Sequence, residues 1–283
     1  MMFQSRAREN ERPTHATVRT AWSSPDEAQR KAWVSFHTQL AAEAKRYTRN
    51  ESSSGLVLIG DSIFERLRGT SYGRFNPTAT ELPGVLASTL GKRWENPTVL
   101  AISGDQTQHV LWRVANGEIS VEMARDPNLI VVLLIGTNNL GRGHLPEETA
   151  SGIIAIIRRL LARVRGRILV AGVLPRGDGP SELPKLCPPR CNHQGEPFNS
   201  FEPAVERVNM RVRMSALSFT IRYPKRVIFV DCGHVFRRHH NSSLEQVSLA
   251  LMPDRLHPNA DGYRALLQCL EPPLRRLDGS RPR

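Results

Sequence analysis

Five short, nearly continuous apolar runs constrain the fold of this 283-residue chain more than any other feature. Each run has the length of a strand, and stretches with helical periodicity lie between or after the runs. The runs predict strands at 56–60, 98–102, 129–135, 167–173 and 226–231. The periodic stretches predict helices at 62–68, 83–92, 107–116, 146–165, 204–219 and 259–277. Apolar strands that alternate with helices are typical of a parallel sheet covered by helices on both faces.

The chain divides into one domain with two short ends. Residues 1–24 are polar and rich in arginine, which predicts a disordered N-terminal arm. A helix with one apolar face is predicted from 25 to about 47, and it opens a single domain at 25–277. Within that domain, residues 175–203 interrupt the alternation and form a predicted proline-rich insertion. Residues 278–283 form a basic tail.

The formal net charge of +12 describes an unusually basic protein. A basic surface attracts anionic partners such as lipid headgroups or RNA. The arginines are spread along the chain, however, and aromatic residues make up only 6% of it. The interleaved aromatic and basic residues of many nucleic-acid-binding surfaces are therefore missing, and the composition argues against a dedicated nucleic-acid-binding role.

The sequence contains no sign of a membrane span, and a metal site is conceivable only where His193 follows Cys187 and Cys191. No apolar run approaches the roughly 20 residues that a membrane-spanning helix needs. Residues 1–19 carry charges of both signs without an apolar centre, unlike a secretory signal, so we expect a cytoplasmic location. The four cysteines match no zinc-binding spacing and are expected to be free, reduced thiols: Cys187, Cys191, Cys232 and Cys269.

Four polar motifs stand where predicted strands end or where the last helix begins. Residues 60–62 (Gly-Asp-Ser) follow the first strand, and residues 103–107 (Ser-Gly-Asp-Gln-Thr) follow the second. Residues 136–139 (Gly-Thr-Asn-Asn) follow the third strand, and residues 254–258 (Asp-Arg-Leu-His-Pro) precede the last helix. Because the carboxyl ends of parallel strands meet at one edge of a doubly wound sheet, we expect these motifs to converge on one crevice.

The motifs supply the groups that a serine hydrolase needs. A serine hydroxyl is a weak nucleophile until a base takes its proton, and His257 can be the base for Ser62. Asp254, three residues before His257, can orient the imidazole and stabilise its cation. The backbone N–H groups of Ser62 and Gly104 and the side-chain amide of Asn138 can form an oxyanion hole. We therefore predict a catalytic triad of Ser62, Asp254 and His257.

Each motif alone also has an ordinary structural explanation. Asp61 or Ser62 can cap a helix, glycine and asparagine are common in turns, and His257 can be a surface histidine. If none of the motifs is functional, their order and their positions require four separate coincidences. Agreement between the motifs and the predicted strand ends therefore favours the catalytic interpretation.

The four motifs resemble those of the SGNH (GDSL-type) hydrolases, which are named for Ser, Gly, Asn and His. The residues that match these four, in the same order, are Ser62, Gly104, Asn138 and His257. A narrower resemblance, over roughly residues 30–275, links the chain to the catalytic subunits of the intracellular type I platelet-activating-factor acetylhydrolases. It rests on residues 33–37, 104–113, 116–118, 136–139 and 174–177.

The resemblance implies a three-layer α/β/α sandwich with a flavodoxin-like, five-stranded parallel sheet. It also implies a serine esterase that uses no metal or cofactor and often forms a homodimer. For the acetylhydrolases, the implied substrate is an ether phospholipid with a short acyl ester at the glycerol C2 position, and the implied partner is a WD-repeat protein. We therefore predict a carboxylic ester hydrolase that removes a short acyl group, such as acetyl from a phospholipid similar to platelet-activating factor.

Three features depart from the acetylhydrolase pattern. Ser103 replaces a glycine, the segment 181–203 is longer, and the charge is more basic. The longer segment leaves the active-site edge, where it can shape the acyl pocket or act as a lid. Three other functions therefore stay open: a carbohydrate O-deacetylase, a lysophospholipase or thioesterase, and an interaction subunit whose basic surface, with Arg237 and Arg238, binds an acidic partner or a membrane.

Overall fold

The computed structural model describes residues 11–21, 23–48, 54–177, 182–187, 190–238 and 246–278. Its centre is a parallel sheet of five strands: β1 (Leu56–Gly60), β2 (Thr98–Ala101), β3 (Ile130–Leu134), β4 (Arg167–Ala171) and β5 (Val227–Val230). The strand order is β2-β1-β3-β4-β5, and every neighbouring pair is parallel. This is the flavodoxin-like order, so the predicted fold class is confirmed.

Helices flank the sheet along the described part of the chain. They are α1 (Glu27–Lys45), α2 (Ser62–Glu65), α3 (Leu82–Ser88), α4 (Thr107–Ala115), α5 (Val121–Arg125), α6 (Thr137–Gly141), α7 (Pro146–Arg163), α8 (Glu182–Leu186), α9 (Glu202–Arg222) and α10 (Ala260–Asp278). Two small antiparallel pairs complete the architecture: Thr70–Ser71 with Arg74–Phe75, and Arg237–Arg238 with Gln246–Val247. Among the described residues, no helix combines the length and the apolar character that crossing a bilayer requires.

Side chains that alternate along each strand enter two separate cores, one on each face of the sheet. Along β1, Val57 and Ile59 pack with α1, α4, α7 and α9, whereas Leu56 and Leu58 pack with α2, α3 and α10. All five residues of β1 and of β3 are buried, as expected for central strands of a sheet covered on both faces. The two cores make the three-layer sandwich.

The predicted elements agree with the observed ones, and the differences lie mainly at their ends. The predicted strands 129–135 and 167–173 end earlier, because the chain turns away from the sheet into the loops at its carboxyl edge. The predicted helix 62–68 is one short α-helix, α2, that continues as the 3₁₀ helix Arg66–Arg68. Helices α5, α6 and α8 are not predicted from the sequence, since five residues show too little periodicity.

The N-terminal arm differs from its prediction of disorder. In its described part, which we call the docked arm (residues 11–21 with 23 and 24), the chain lies against the amino end of α4. Thr107 Oγ1 donates a hydrogen bond to the carbonyl oxygen of Pro13 (3.0 Å), and both Glu11 and Arg19 are buried. Composition alone missed this packing because the partners of these charged residues come from distant parts of the chain. Residues 1–10 and 22 lie outside the described residues.

The cysteines also differ from their prediction. They form two disulfides, Cys187–Cys191 and Cys232–Cys269, so the expectation of free thiols is wrong. The second disulfide joins residues 37 apart, one after β5 and one in α10, and their Cα atoms lie 6.0 Å apart. The packing of α10 creates this proximity, which sequence spacing does not reveal. Disulfides are typical of oxidising compartments, so the pairing argues against the cytoplasmic location, which stays a prediction.

The proline-rich insertion is described only in part. Of residues 175–203, the structure describes 175–177, 182–187 and 190–203, and these include α8 and the Cys187–Cys191 disulfide. The predicted role of this segment as a lid or pocket wall therefore stays a prediction. The basic tail 278–283 lies outside the described residues apart from Asp278, the last residue of α10.

Candidate active site

Ser62 stands in the tight turn between β1 and α2. Gly60 ends the strand, and a Cβ atom there would lie 2.3 Å from the carbonyl oxygen of Leu134, so the turn requires glycine. Asp61 caps α2 by accepting a hydrogen bond from the backbone N–H of Ile63 at Oδ1 (3.0 Å). Ser62 is then the first residue of the helix, with its side chain at the carboxyl edge of the sheet and only 9% of the residue exposed.

Ser62, His257 and Asp254 form a continuous chain of hydrogen bonds. His257 Nε2 lies 2.9 Å from Ser62 Oγ, and His257 Nδ1 lies 2.7 Å from Asp254 Oδ2. With the proton on Nδ1 donated to the carboxylate, Nε2 accepts the hydrogen bond from the serine hydroxyl. The structure therefore brings the three predicted triad residues together, although His257 lies 195 residues from Ser62.

Asp254 is held in its ionised form. Its Oδ1 accepts hydrogen bonds from the backbone N–H groups of Leu256 (3.0 Å) and His257 (2.6 Å). Burial disfavours the charged carboxylate, but these bonds and the His257 imidazole outweigh burial and hold the pKa of Asp254 well below its usual range. An ionised carboxylate at this place can orient the imidazole and stabilise its cation.

The segment that carries His257 is fixed to the rest of the site at both ends. Before His257, Arg255 adopts a left-handed conformation (φ 62°), and its carbonyl oxygen accepts a hydrogen bond from the backbone N–H of Gly177 (2.6 Å). After His257, the hydroxyl of the fully buried Tyr263 in α10 donates to the carbonyl oxygen of Ile63 in α2 (2.6 Å). This bond joins the helix that follows the histidine to the helix that carries the serine.

The predicted oxyanion donors lie on the two loops beside Ser62. Gly104 has φ +76°, a conformation that favours glycine, and it belongs to the oxyanion loop, which we define as residues 103–106. Asn138, in the first turn of α6, donates from its side-chain Nδ2 to the carbonyl oxygen of Asp105 (2.9 Å). That bond links the two loops and leaves the second amide hydrogen of Asn138 for a ligand. The backbone N–H of Ser62 lies in the first turn of α2, where helical donors lack intrahelical acceptors.

Two further side chains, one from α2 and one from the short strand Thr70–Ser71, fix the oxyanion loop. Glu65 accepts the backbone N–H of Ser103 at Oε2 (2.6 Å), and the Ser71 hydroxyl donates to the Ser103 hydroxyl (3.2 Å). Ser103 replaces the glycine of the acetylhydrolase pattern, and its hydroxyl is thus taken up by Ser71. Sequence reasoning missed Glu65, although a glutamate on the buried side of a short helix was a signal.

A buried ion network lies behind this loop, and we define it as Asp105, Arg113, Glu118, His37 and Arg19. Asp105 accepts hydrogen bonds from Arg113 Nε (2.6 Å) and Arg19 Nη2 (2.8 Å), and Trp33 Nε1 donates to the same carboxylate (2.7 Å). Arg113 also pairs with Glu118, which in turn lies 2.8 Å from His37 Nδ1. The side chains of the network are at most 8% exposed.

The charges of the network support one another. Burial disfavours the Asp105 carboxylate, but the guanidinium groups of Arg113 and Arg19 outweigh burial and lower the pKa of Asp105. Burial likewise opposes the charge of Arg113, but Glu118 and Asp105 raise its pKa. Sequence reasoning used Arg113 and Glu118 only for the resemblance. The available signal for an internal ion pair was an arginine within the predicted helix 107–116 and a glutamate just after it.

Asp61 is a buried carboxyl group between the triad and the ion network. Burial raises its pKa to about 7, and nearby Asp105 adds to that shift, while the bond from Ile63 N–H and the charges of Arg176 and Arg113 oppose it. Its Oδ2 atom finds no hydrogen-bond partner among the described residues. A raised pKa is the expected result for a carboxyl group whose charged form is poorly solvated.

A cleft of about 600 Å³ lies beside the triad. Asp254 and His257 contribute to its wall, together with Arg66, Glu81 and Arg264. The wall thus combines charges of both signs with the apolar edges of prolines. Within the described ranges, no group of three or more His, Cys, Asp or Glu side chains could hold a metal ion.

Comparison with known proteins decides the family. The sequence profile of the GDSL-like lipase/acylhydrolase family matches residues 58–265, which is most of the chain. The chain belongs to this family. This match confirms the predicted membership of the SGNH (GDSL-type) hydrolases, which are carboxylic ester hydrolases.

The chain is also similar to acetylhydrolase subunits. It is 35% identical over 154 residues to the platelet-activating factor acetylhydrolase IB subunit alpha1 of Bos taurus, with 53% of this chain and 54% of the bovine chain aligned. It is 31% identical over 152 residues to the subunit alpha2 of Gallus gallus, with 53% and 55% aligned. The match thus spans about half the length of these relatives.

Solved structures show the same fold at low sequence identity. A GDSL-like lipase from Bacteroides thetaiotaomicron superimposes with a TM-score of 0.58 at 14% identity, covering 85% of this chain and 97% of the other. A variant of an acetylxylan esterase from Geobacillus stearothermophilus gives a TM-score of 0.50 at 16% identity, covering 81% and 95%. At such identities the likeness concerns the fold alone.

Proposed function

We propose that the protein hydrolyses carboxylic esters through an acyl-enzyme, with Ser62 as nucleophile, His257 as general base and acid, and Asp254 as the orienting carboxylate. The observation that carries the proposal is the unbroken chain from Ser62 Oγ to His257 Nε2 (2.9 Å) and from His257 Nδ1 to Asp254 Oδ2 (2.7 Å). Both distances suit direct proton transfer and tautomer control.

In the first half-reaction, Ser62 Oγ attacks the ester carbonyl carbon while its proton moves to His257 Nε2. The carbonyl electron pair moves onto oxygen, and the N–H groups of Ser62 and Gly104 and the amide of Asn138 donate to that oxyanion. The pair then returns, the ester C–O bond breaks, and His257 protonates the leaving alcohol. In the second half-reaction, a water molecule gives a proton to His257 and attacks the acyl carbon. The bond between that carbon and Ser62 Oγ then breaks, His257 returns the proton to Ser62 Oγ, and the carboxylic acid leaves.

The proposed substrate is an ester with a short acyl group, such as acetyl on a phospholipid similar to platelet-activating factor. The similarity to acetylhydrolase subunits supports an acetyl ester, and the charged side chains in the wall of the cleft beside His257 support a polar leaving group. We also propose a homodimer and a WD-repeat partner, because the family resemblance implies both. Lysophospholipase, thioesterase and carbohydrate O-deacetylase activities would use the same triad, so only the pocket separates them.

The first test is hydrolysis of p-nitrophenyl acetate and its longer-chain esters by the wild type and Ser62→Ala. We expect activity that is confined to short chains and lost in Ser62→Ala, while Ser218→Ala, an exposed serine on α9, keeps it. Activity on long chains would indicate a lipase-like or lysophospholipase-like pocket instead. Equal background hydrolysis by the wild type and Ser62→Ala would contradict the proposed function on these esters.

A further inference from the structure

Arg19 lies in the docked arm, before α1, and its side chain contacts the oxyanion loop. Its Nη2 donates to the carbonyl oxygen of Ser103 and to Asp105 Oδ1 (2.8 Å), and its Nη1 donates to the Tyr72 hydroxyl (2.9 Å). The guanidinium also lies over the Tyr72 ring at 5.1 Å from the centroid. The side chain is only 3% exposed, so these contacts are shielded from water.

The bond to Ser103 bears directly on the proposed oxyanion donor. The carbonyl of Ser103 and the N–H of Gly104 belong to one peptide group, which is planar and trans, so the two point in opposite directions. A guanidinium that holds the carbonyl on one side therefore aims the Gly104 N–H to the other side. A charged donor on the carbonyl also polarises the peptide and strengthens its N–H as a hydrogen-bond donor.

The fit around Gly104 supports the same role. A Cβ atom on Gly104 would lie 3.1 Å from the Tyr72 hydroxyl and 3.3 Å from Arg19 Nη1, so the arm and Tyr72 close one side of the loop. The arm has other anchors as well, such as the contact of Pro13 with Thr107. Docking of the arm therefore does not depend on Arg19 alone.

We propose that Arg19 is a positioning residue of the oxyanion hole, which orients and polarises the Ser103–Gly104 peptide. The inference rests on the proposed function, because it assigns a role within the same site. It also gives the docked arm a task in catalysis: without the arm, the carbonyl of Ser103 would lose its charged partner, and the Gly104 N–H would be free to turn.

The test combines amide spectroscopy with kinetics on the full chain. In Arg19→Ala labelled with ¹⁵N-glycine, we expect the Gly104 amide proton to shift upfield, and kcat to fall about ten- to a hundredfold with KM nearly unchanged, less than loss of a whole oxyanion donor costs. Millimolar guanidinium, far below denaturing concentrations, should restore part of both signals. The matched control is Arg30→Ala, because Arg30 binds the carbonyls of Ser24 and Pro25 but does not contact the oxyanion loop.

The outcomes separate this proposal from the proposed function. An unchanged Gly104 resonance and an unchanged kcat in Arg19→Ala, or equal losses in Arg30→Ala, would overturn the role of Arg19. A shifted Gly104 resonance in a protein without esterase activity would support the positioning role and contradict the function. If Arg19→Ala does not fold, Arg19→Lys provides the same comparison, because a single ammonium group does not reproduce the guanidinium fork.

A second inference, independent of the first, concerns the outer face of α9. Four large apolar side chains recur at steps of four, three and four residues and are therefore on one face of the helix. They form the apolar stripe, and they are 60%, 63%, 56% and 85% exposed: Met210, Met214, Leu217 and Ile221. At 1.5 Å per residue, the stripe is about 16 Å long. The opposite face of α9 is buried in the core through Val205, Val208, Val212 and Ala216.

Basic side chains border the apolar stripe. At about 100° per residue, Arg207, Arg211 and Arg222 fall along one edge of the stripe and Arg213 along the other. Beyond Glu206, α9 contains no acidic residue, and Arg158 of α7 lies over the Phe219 ring of α9 (6.0 Å). Glu147 pairs with Arg207 (3.4 Å) and with Arg211 (4.0 Å), so the positive charge is least compensated toward the carboxyl end of the helix.

We infer that this face docks on an anionic lipid surface. Apolar side chains that enter the headgroup boundary, with arginines that meet lipid phosphates around them, are the pattern of a helix that lies in a membrane interface. A second copy of the chain suits the face less well. A two-fold symmetric dimer brings the same patch against itself and would place the two basic borders in contact.

Vesicle sedimentation tests this inference without use of the esterase. We expect the wild type to bind vesicles of phosphatidylcholine with phosphatidylserine, to bind phosphatidylcholine alone weakly, and to detach at high salt. Leu217→Ser with Ile221→Ser should bind at least about tenfold less, since each loses its buried apolar area. The matched control is Val34→Ser with Val121→Ser, two exposed aliphatic residues of α1 and α5, with folding verified by circular dichroism.

Two results would overturn the lipid inference. One is binding that is the same for both vesicle types or for both double variants. The other is a wild-type dimer in light scattering that becomes a monomer in Leu217→Ser with Ile221→Ser, because a second copy of the chain would then cover the stripe.

Discussion

Two systems of hydrogen-bonded, ionisable side chains support the candidate site: the triad and the buried ion network. They differ in their exposure to water. In the triad, the Asp254 side chain is 52% exposed and His257 is 19% exposed. In the buried ion network, Asp105 and Arg113 are fully buried. In the proposed mechanism, His257 gains and loses a proton during each turnover, whereas the network only holds the oxyanion loop in place. Solvent tolerates a change of charge, but a buried pair is stable only while both partners stay charged.

The comparison leads to opposite expectations for substitutions. A change in the triad should remove chemistry and leave the fold intact, because water can replace the lost partner. A change in the network should weaken the fold, because the remaining partner is left as an unpaired buried charge.

His257→Ala should give the largest effect on activity. We expect kcat/KM to fall by about 10⁴-fold, since the serine loses its base, while the free energy of unfolding changes by about 0.5 kcal/mol or less. Ester hydrolysis and urea unfolding of the same preparation measure the two quantities. A large loss of stability would show that the triad is also structural, and the contrast would then fail.

Arg113→Met should give the largest effect on stability. It leaves Asp105 and Glu118 buried without their shared cation, so we expect a loss of about 3–5 kcal/mol in the free energy of unfolding. The matched control is Arg275→Met, which removes an exposed pair with Glu271 and should cost about 1 kcal/mol or less. Equal urea midpoints for the two variants would contradict the network's role.

Removal of the Cys232–Cys269 disulfide should lower the free energy of unfolding. For Cys232→Ser with Cys269→Ser we expect a loss of about 2–4 kcal/mol, because the bond closes a long loop in the unfolded chain. Cys187→Ser with Cys191→Ser should cost less, since that loop joins residues only four apart. Thiol titration of the unfolded wild type provides the independent check: detection of free thiols would mean that the bonds do not form.

Asp61→Asn should give the smallest effect over any one pH unit, and its effect should depend on pH. The folded pKa of Asp61, about 7, lies above the usual value near 4, so between these values the folded state binds more protons than the unfolded state. Stability of the wild type relative to Asp61→Asn should therefore fall as pH rises from about 4 to 7, by about 1.4 kcal/mol or less per pH unit.

Urea unfolding of both proteins at several pH values measures this difference. Asparagine keeps the acceptor for the Ile63 N–H, so the helix cap is preserved in the variant and only the charge changes. Curves that run parallel across the range would mean that Asp61 is ionised in the folded protein at all these pH values. The charge of Asp61 would then be as well solvated as that of the exposed triad, unlike an unpaired charge in the buried network.

Much of the fold could be predicted from the sequence because the signals are local. The run Leu56–Gly60 is apolar throughout since β1 is buried on both faces, and α7 shows a wide apolar stripe with acidic residues first and basic residues last. Strand ends are also local signals. The motifs with Ser62, Gly104 and Asn138 follow predicted strands, and the motif with His257 precedes the last predicted helix. The flavodoxin-like sheet was expected only from the family resemblance, and the tertiary structure gives its strand order.

Contacts between distant residues had to await the tertiary structure. The docked arm was predicted as disordered because its composition is polar, yet Arg19 pairs with Asp105, 86 residues away. The cysteines were expected to be free because their spacing matches no template, yet packing of α10 brings Cys269 to Cys232. In both cases the composition of a segment describes its average solubility but not the partner that packing supplies.

The sequence by itself determined the alternation of strands and helices, the parallel sheet between two helical layers and the motifs of the candidate site, because helical and strand periodicity act over a few residues. Only the tertiary structure decided which charged groups are buried together, which cysteines pair and how the arm meets the oxyanion loop. The physical reason is that a charge or a thiol becomes structural only when burial removes water and a partner replaces it.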